Sequence, residues 1–409
     1  MSKDCTIQDV FHRFYPSFES THSISPAQRK AAYHIMNCKT GAFGVNVSVC
    51  EDCGCMSVHY NSCRDRCCPM CQEFSKEKWV DARREDILDA PYFHVVFTVP
   101  EELNPIIYNN QKFLYTALYH AASDTLSELA ADSKYLGTDI GYICILHTWG
   151  STMNFHPHIH AIVLGGGLDV KNHWKDNGKE FFLPIKVISK IFRGKYMAEL
   201  KQLWENDRLE FHGSAAPYKN YYTFKELLNT CYAKEWIPYC KKPFDGAESV
   251  IRYLGKYTHR IAISNYRIKD MTESTVTFSA KDYKNQGLWK EITISGEEFI
   301  RRFLMHVPPK RFVRIRHYGL LSSRNKKKKI TLCRNILGCK KYISKLKDMD
   351  APAIIRLLYN KDIKNIEKQH VPSLLYAMRI ADFFHQPVTN IFCYHPGQTQ
   401  CKGADHNGE

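Results

Sequence analysis

The chain has 409 residues, enough for two or three domains at roughly 150 residues each. Its charged fraction of 24% and hydrophobic fraction of 44% exclude a disordered tail, a collagen and a minimal disulfide scaffold. Lys plus Arg is 57 against 42 for Asp plus Glu, a formal charge of +15 that points to polyanionic partners. No apolar run approaches the roughly 18 residues needed to span a bilayer, and Met1 to Val10 lacks the apolar core of a secretion signal. The expectation is a soluble intracellular protein without a membrane partner.

The spacing predicts short helices over Gln8–Phe14 and Pro26–Met36, with Ser25 as N-cap, and a polar helix over Glu73–Leu88. Tyr92–Val99 reads as a buried strand ending at Pro100, and Asn109–Ala131 as a long helix. Tyr142–Thr148 and His158–Leu164 are two more strands, the latter closed by Gly165-Gly-Gly167. Ile185–Asp207 and Ala247–Tyr257 read as helices. Ile261–Ile268, Ser274–Phe278 and Trp289–Ile294 follow as antiparallel strands, then a helix over Glu297–Met305 and a strand over Phe312–Arg316. Strands and helices that mix without strict alternation predict an α+β fold built on an antiparallel sheet. The expected organisation is a cysteine-rich segment over 1–88, a central domain over 89–330, and a basic, partly disordered region over 331–409.

Cysteines crowd the first of these segments, at positions 38, 50, 53, 55, 63, 67, 68 and 71. In a reducing compartment such crowding signals metal binding. Cys50-Glu-Asp-Cys53 and Cys68-Pro-Met-Cys71 are two Cys-x-x-Cys turns, the spacing by which four thiolates surround one zinc. His34, Cys38, Cys63 and Cys67 could supply a second ion. Either zinc would be structural, because full protein ligation leaves no open position.

A second cluster is His156-Pro-His158-Ile-His160. Residues two apart on a strand share a face, so His158 and His160 present two imidazoles side by side to a divalent cation. Candidates for a third ligand are His94, His156 and His259. About a hundred residues on, Tyr253 and Tyr257 lie one helical turn apart. A phenol is a poor nucleophile at its ordinary pKa near 10, and a metal ion that polarises a phosphate lowers the barrier to its attack. Such an attack on a phosphodiester makes a phosphotyrosine and keeps the bond energy for rejoining.

Together these blocks resemble the HUH endonucleases, and more closely the transposases of the insertion-sequence-91 family. The resemblance rests on Asn61 to Gln72, on His147-Thr-Trp-Gly150 with His156 to His160 and Gly165 to Gly167, on Arg252 to Asn265, and on Arg302 to Asn325. It implies an N-terminal zinc-binding domain and a strand-transferase domain that nicks and rejoins single-stranded DNA with Mg2+ or Mn2+, in rolling-circle transposition. His158 and His160 would be the metal ligands, with His94 as a further candidate. Tyr253 and Tyr257 would be the nucleophiles, Tyr257 acting first. Lys256, Arg260, Arg311, Arg314, Arg316 and Arg324 are the expected DNA contacts, beside the run Lys326 to Lys329. The family usually shows histidine where Cys67 stands, and a further C-terminal cysteine pair where this chain has only Cys393, His395 and Cys401. The partners implied are single-stranded element ends and a target site, in the cytoplasm near the nucleoid. A rolling-circle replication initiator would share the chemistry. A non-catalytic, zinc-dependent DNA-binding regulator would bind DNA without cleaving it, and an RNA-binding zinc protein would prefer RNA.

Overall fold

A computed structural model describes residues 5–49, 56–177, 183–236, 238–241, 249–251, 253, 255, 262–282, 287–349, 353, 354 and 357. The helices are α1 (Ile7–Thr21), α2 (Pro26–Asn37), α3 (Glu73–Arg84), α4 (Asn104–Asn109), α5 (Gln111–Ala131), α6 (Ile185–Glu205), α7 (Tyr221–Ala233), α8 (Gly296–Met305) and α9 (Lys326–Leu337). The strands are β1 (Val45–Val49), β2 (Met56–Tyr60), β3 (Tyr92–Thr98), β4 (Asp139–Trp149), β5 (Phe155–Leu168), β6 (Trp174–Asp176), β7 (Tyr239–Lys241), β8 (Ile268–Met271), β9 (Thr275–Asp282), β10 (Leu288–Ser295) and β11 (Ile315–Gly319). The fold is α+β, and among the described residues every strand pair is antiparallel.

The central sheet has the order β11-β4-β5-β3-β7, with β6 added to β5. One face carries Val95, Phe97, Cys144, Leu146, Ile159, Ala161 and Val163, and packs on the apolar sides of α5 and α6. The other face carries Tyr92, Ile143, Ile145, Ile162 and Leu164, covered by Leu88, Val250, Ile330 and Cys333. Because strand side chains alternate, His158 and His160 lie on this second face, beside the short helical stretch that contains Val250 and Tyr253.

A separate core joins the N-terminal helices to residues 262–307. Phe11, Phe14 and Phe18 of α1 and Ala31, Ala32 and Ile35 of α2 are buried with Val276 and Phe278 of β9 and Phe299, Ile300 and Phe303 of α8. Phe11 and Phe303 meet edge to face at 5.1 Å. Both N-terminal helices start on capping boxes, Thr6 with Asp9 and Ser25 with Gln28, as the Ser25 reading anticipated. The cysteine-rich segment thus shares its interior with residues 262–307.

Several sequence expectations shift. The strand expected over 261–268 is a 3-10 turn at Asn265–Arg267 followed by β8, because the Asn265 side chain is used to accept from the backbone N–H of Ile7. The last strand is Ile315–Gly319, not Phe312–Arg316, since Phe312 turns into the core against Tyr115 and Tyr119. The triple glycine does not close β5. The strand runs through it to Leu168, and glycine is needed there for space: a Cβ at Gly167 would lie 2.4 Å from the carbonyl oxygen of Asp139. Residues 249–251, 253 and 255 are helical, and the rest of the helix expected over 247–257 is outside the described residues.

Candidate metal and nucleophile sites

The first site is a group of four thiols. Cys38, Cys63, Cys68 and Cys71 place their sulfurs within 4.8 Å of one another. Cys38 ends α2, where the Gln8 side-chain amide donates to the carbonyls of Ile35, Met36 and Cys38 at 3.0, 2.8 and 3.0 Å and fixes the turn. Cys63 follows β2, and Cys68 and Cys71 form one Cys-x-x-Cys turn before α3. Backbone N–H groups of Asp65 and Met70 donate to the sulfurs of Cys63 and Cys68, each at 3.4 Å. The Cys63 and Cys71 sulfurs are 3.7 Å apart. A tetrahedron with zinc–sulfur bonds of about 2.3 Å has edges of about 3.8 Å, so this spacing fits zinc. Hydrogen bonds from Cys63, Cys68 and Cys71 hold the Cys38 thiol well below its ordinary range, whereas those with Cys38, Cys63 and Cys71, and burial, push Cys68 up. Four sulfurs this close therefore need a cation before all can ionise.

This grouping takes two members from each expected zinc set. Cys50 and Cys53 lie outside the described residues. His34 and Cys67, expected at a second ion, are not in the group of four. His34 Nδ1 is 3.0 Å from Asp65, and the Cys67 backbone donates to Asp65 at 2.8 Å. Burial, aided by Asp65, pushes the Cys67 thiol up to about 12, so it stays neutral. Cys68 thus joins the group of four, while its neighbour Cys67 is buried beside Asp65.

The second site lies on the central sheet. His158 Nε2 and His160 Nε2 are 3.0 Å apart. His147 on β4 is the cross-strand partner of His158, and these three are the histidine group whose nitrogens fall within 4.8 Å among the described residues. Burial holds His158 down at about 4, keeping it neutral and able to donate a lone pair. Its Nδ1 faces the carbonyl of His156 at 2.6 Å, which fixes the tautomer and leaves Nε2 free for a cation. His156 thus contributes its carbonyl, and its ring is not in the group. His94, one of the three candidates for a third ligand, stands on the far side of His160: its Nε2 is 2.8 Å from His160 Nδ1. On β3 it pairs with Ile162, two positions from His160, and reaches the ring edge that faces away from His158.

The Tyr253 hydroxyl is 2.7 Å from His94 Nε2 and 3.0 Å from His160 Nδ1. A phenol therefore contacts one member of the three-histidine group, at the His160 nitrogen that faces away from His158. His147 was quoted in the His-Thr-Trp-Gly block but not singled out; its signal is position, since only the β4–β5 register sets it opposite His158.

Residues 141–329 match a family model described as "Putative transposase", and residues 10–99 match one described as "Transposase zinc-binding domain". A "Putative transposase" of Sinorhizobium fredii is 40% identical over 334 residues, covering 81% of this chain and 84% of the relative. The "Transposase for insertion sequence element IS801" of Pseudomonas savastanoi pv. phaseolicola is 28% identical over 296 residues, covering 71% and 69%. The chain belongs to the insertion-sequence-91 family of transposases. No solved structure matches it. As a transposase of this family it is a DNA-cleaving and strand-transferring enzyme, DNA is its partner, and its N-terminal thiols sit in a zinc-binding domain. Among the described residues no helix is long and apolar enough to cross a membrane.

The remaining expected residues fall in three groups. Tyr257, Lys256, Arg260 and His259 are outside the described residues. Arg311 and Arg324 are exposed, as a phosphate contact requires. Arg314 and Arg316 are half-buried: burial pulls the Arg314 guanidinium below its usual range, and Arg316 lies 4.1 Å over the Tyr119 ring. The lysine run begins α9, where Lys326 pairs with Asp86 and Lys329 with Asp139, leaving Lys327 and Lys328 exposed.

Proposed function

We propose that this transposase nicks and rejoins single-stranded DNA at the ends of its element, in a rolling-circle route, with Tyr253 and Tyr257 as nucleophiles. The observation that carries the reading is the Tyr253 hydroxyl 3.0 Å from Nδ1 of a histidine whose Nε2 faces His158. His147, His158 and His160 would hold a magnesium or manganese ion, which when bound polarises the scissile phosphate and offsets charge on its oxygens. The tyrosine oxygen attacks phosphorus, the bond to the 3′ oxygen breaks, and a 5′-phosphotyrosine and a free 3′ hydroxyl result. A 3′ hydroxyl attacking that phosphotyrosine reverses the step and rejoins a strand without a nucleotide cofactor. Two tyrosines permit two such transfers in succession.

Cys38, Cys63, Cys68 and Cys71 would hold a structural zinc, and Arg311, Arg324 and the exposed lysines of α9 would neutralise phosphates. Residues 1–88 would then be the zinc-binding part, 89–330 the strand transferase and 331–409 a basic extension, working in the cytoplasm beside the nucleoid. A replication initiator would use the same chemistry at an origin. The two relatives named as transposases favour element ends as the substrate.

The test is incubation with single-stranded oligonucleotides spanning each element end, with manganese, and a denaturing gel. A covalent protein–DNA adduct is expected. It disappears with chelator and in Tyr253→Phe/Tyr257→Phe. Salt-sensitive DNA binding without any adduct would overturn the nuclease reading and leave a zinc-dependent DNA-binding protein.

A further inference from the structure

We infer that Arg66 is a positioning residue for DNA binding: from the zinc-binding domain it clamps the turn that presents Arg311 to the DNA backbone. The inference rests on the reading of Arg311 as a phosphate contact and adds the residue that keeps it in place.

Arg66 lies between Cys63 and Cys68, two members of the group of four thiols. Hydrogen bonds fix the backbone around it. The Asp65 N–H donates to Cys63 Sγ at 3.4 Å, the Cys67 N–H to the Asp65 carboxylate at 2.8 Å, and the Cys68 N–H to the Asp65 carbonyl at 3.1 Å. The half-buried Arg66 side chain leaves this loop for a segment 242 to 246 residues further along the chain. Its Nη1 donates to the carbonyl of Phe312 at 2.5 Å, and its Nη2 to those of Pro309 and Pro308 at 2.9 and 3.4 Å.

These carbonyls bracket Lys310 and Arg311, both exposed. The Phe312 N–H closes the turn on the Pro309 carbonyl at 3.1 Å. Pro308 and Pro309 have no N–H to give, so a backbone tie to either runs through its carbonyl. Arg311 sits at φ 61°, a left-handed backbone that a residue with a side chain keeps only where its surroundings hold it there. Beyond it, Phe312 is fixed in the core against Tyr115. A planar guanidinium that spans carbonyls on both sides of Arg311 supplies the hold. A lysine ammonium is a point charge on a flexible stem and lacks that fork.

The test titrates the full chain, at saturating zinc, against a fluorescent single-stranded DNA of mixed sequence between about 0.1 and 1 M salt. One phosphate contact on a single strand is worth about 0.7 in the slope of log affinity against log salt, or about fivefold across that range. Arg66→Ala is expected to lose about as much as Arg311→Ala, with its zinc content unchanged in atomic absorption. The double variant should lose about fivefold, not about twenty-five-fold. Arg66→Lys, which keeps the charge and loses the fork, should behave as Arg66→Ala. Losses that add in the double variant, or a wild-type slope in Arg66→Lys, would mean that Arg66 meets phosphate through its own charge and would overturn the inference. An unchanged slope in Arg66→Ala would overturn it too, as would loss of zinc from both Arg66 variants, which would make the residue a support of the zinc loop. A wild-type slope in Arg311→Ala would instead overturn the reading of Arg311 as a phosphate contact, and the inference with it.

Discussion

Gly296 offers a sharp test of how the cysteine-rich segment is joined to the rest of the chain. It opens α8, behind the Ser295 cap, with ordinary helical backbone, so no strain is relieved by keeping glycine. A Cβ placed there would lie 2.2 Å from Cγ and Cδ1 of Phe14. Carbon atoms rest at about 3.5–4.0 Å, so the ring or the helix must move by more than an ångström. Overpacking of this kind costs about 1–3 kcal/mol, and the better helix propensity of alanine returns at most about 1 kcal/mol. Gly296→Ala is therefore expected to destabilise by about 2 kcal/mol. Phe14→Ala alone should cost about 3–4 kcal/mol, as for other buried aromatics. In the double variant the new methyl group enters the space the ring has left, and the second substitution should be neutral or slightly stabilising. The expected coupling is about 2 kcal/mol. Urea unfolding of the four proteins at fixed zinc measures it. Costs that add within about 0.5 kcal/mol would refute the packing of α1 against α8.

Other outcomes follow from the two sites and from the charged surface. Cys38→Ser should lower bound zinc by one ion per chain in atomic absorption, whereas Cys67→Ser, at a neutral buried thiol, should leave the zinc content as it is. His147→Ala should weaken manganese binding by about tenfold or more in calorimetry, comparable to the loss of a metal-site partner. The Arg301 and Arg302 guanidiniums hold Glu298 down at about 2, below the ordinary 4.5. A carboxylate depressed in the folded state contributes stability above its unfolded pKa and loses it as pH falls through the folded one. Glu298→Gln should thus cost about 1 kcal/mol at neutral pH, after discounting for partial exposure, with the difference closing between pH 4.5 and 2 in thermal melts. Arg311→Ala and Arg324→Ala should each flatten the salt dependence of DNA binding by about one counterion, without changing sequence preference.

What the sequence disclosed was chemistry with a local period. His158 and His160 share a face because strand side chains alternate, and the β-branched and aromatic runs around them identify β3, β4 and β5. What it withheld was register. Nothing in the order of residues says that His147 faces His158, or that the end of α2 brings Cys38 to Cys68 and Cys71. The Cys-x-x-Cys spacing correctly marks one turn, but the group of four is completed by Cys38 and Cys63 across larger separations. The lysine run hid a helix because its apolar side is short: Ile330 and Cys333 alone are buried on α9. The strand expected over 261–268 failed because Asn265 serves as a tertiary acceptor for the N-terminus, a role invisible to propensity.

The shared core of α1, α2, β9 and α8 also sets a schedule for synthesis. The apolar sides of the first two helices leave the ribosome long before Phe299 and Phe303 exist to cover them. At about 10 residues per second the wait is roughly half a minute. During that interval Phe11, Phe14 and Phe18 depend on chaperones or on transient burial. A transposase truncated before residue 262 lacks the other half of that core, so interrupted copies of the gene should yield chains that are degraded, not stable zinc-binding fragments that compete for the element's ends.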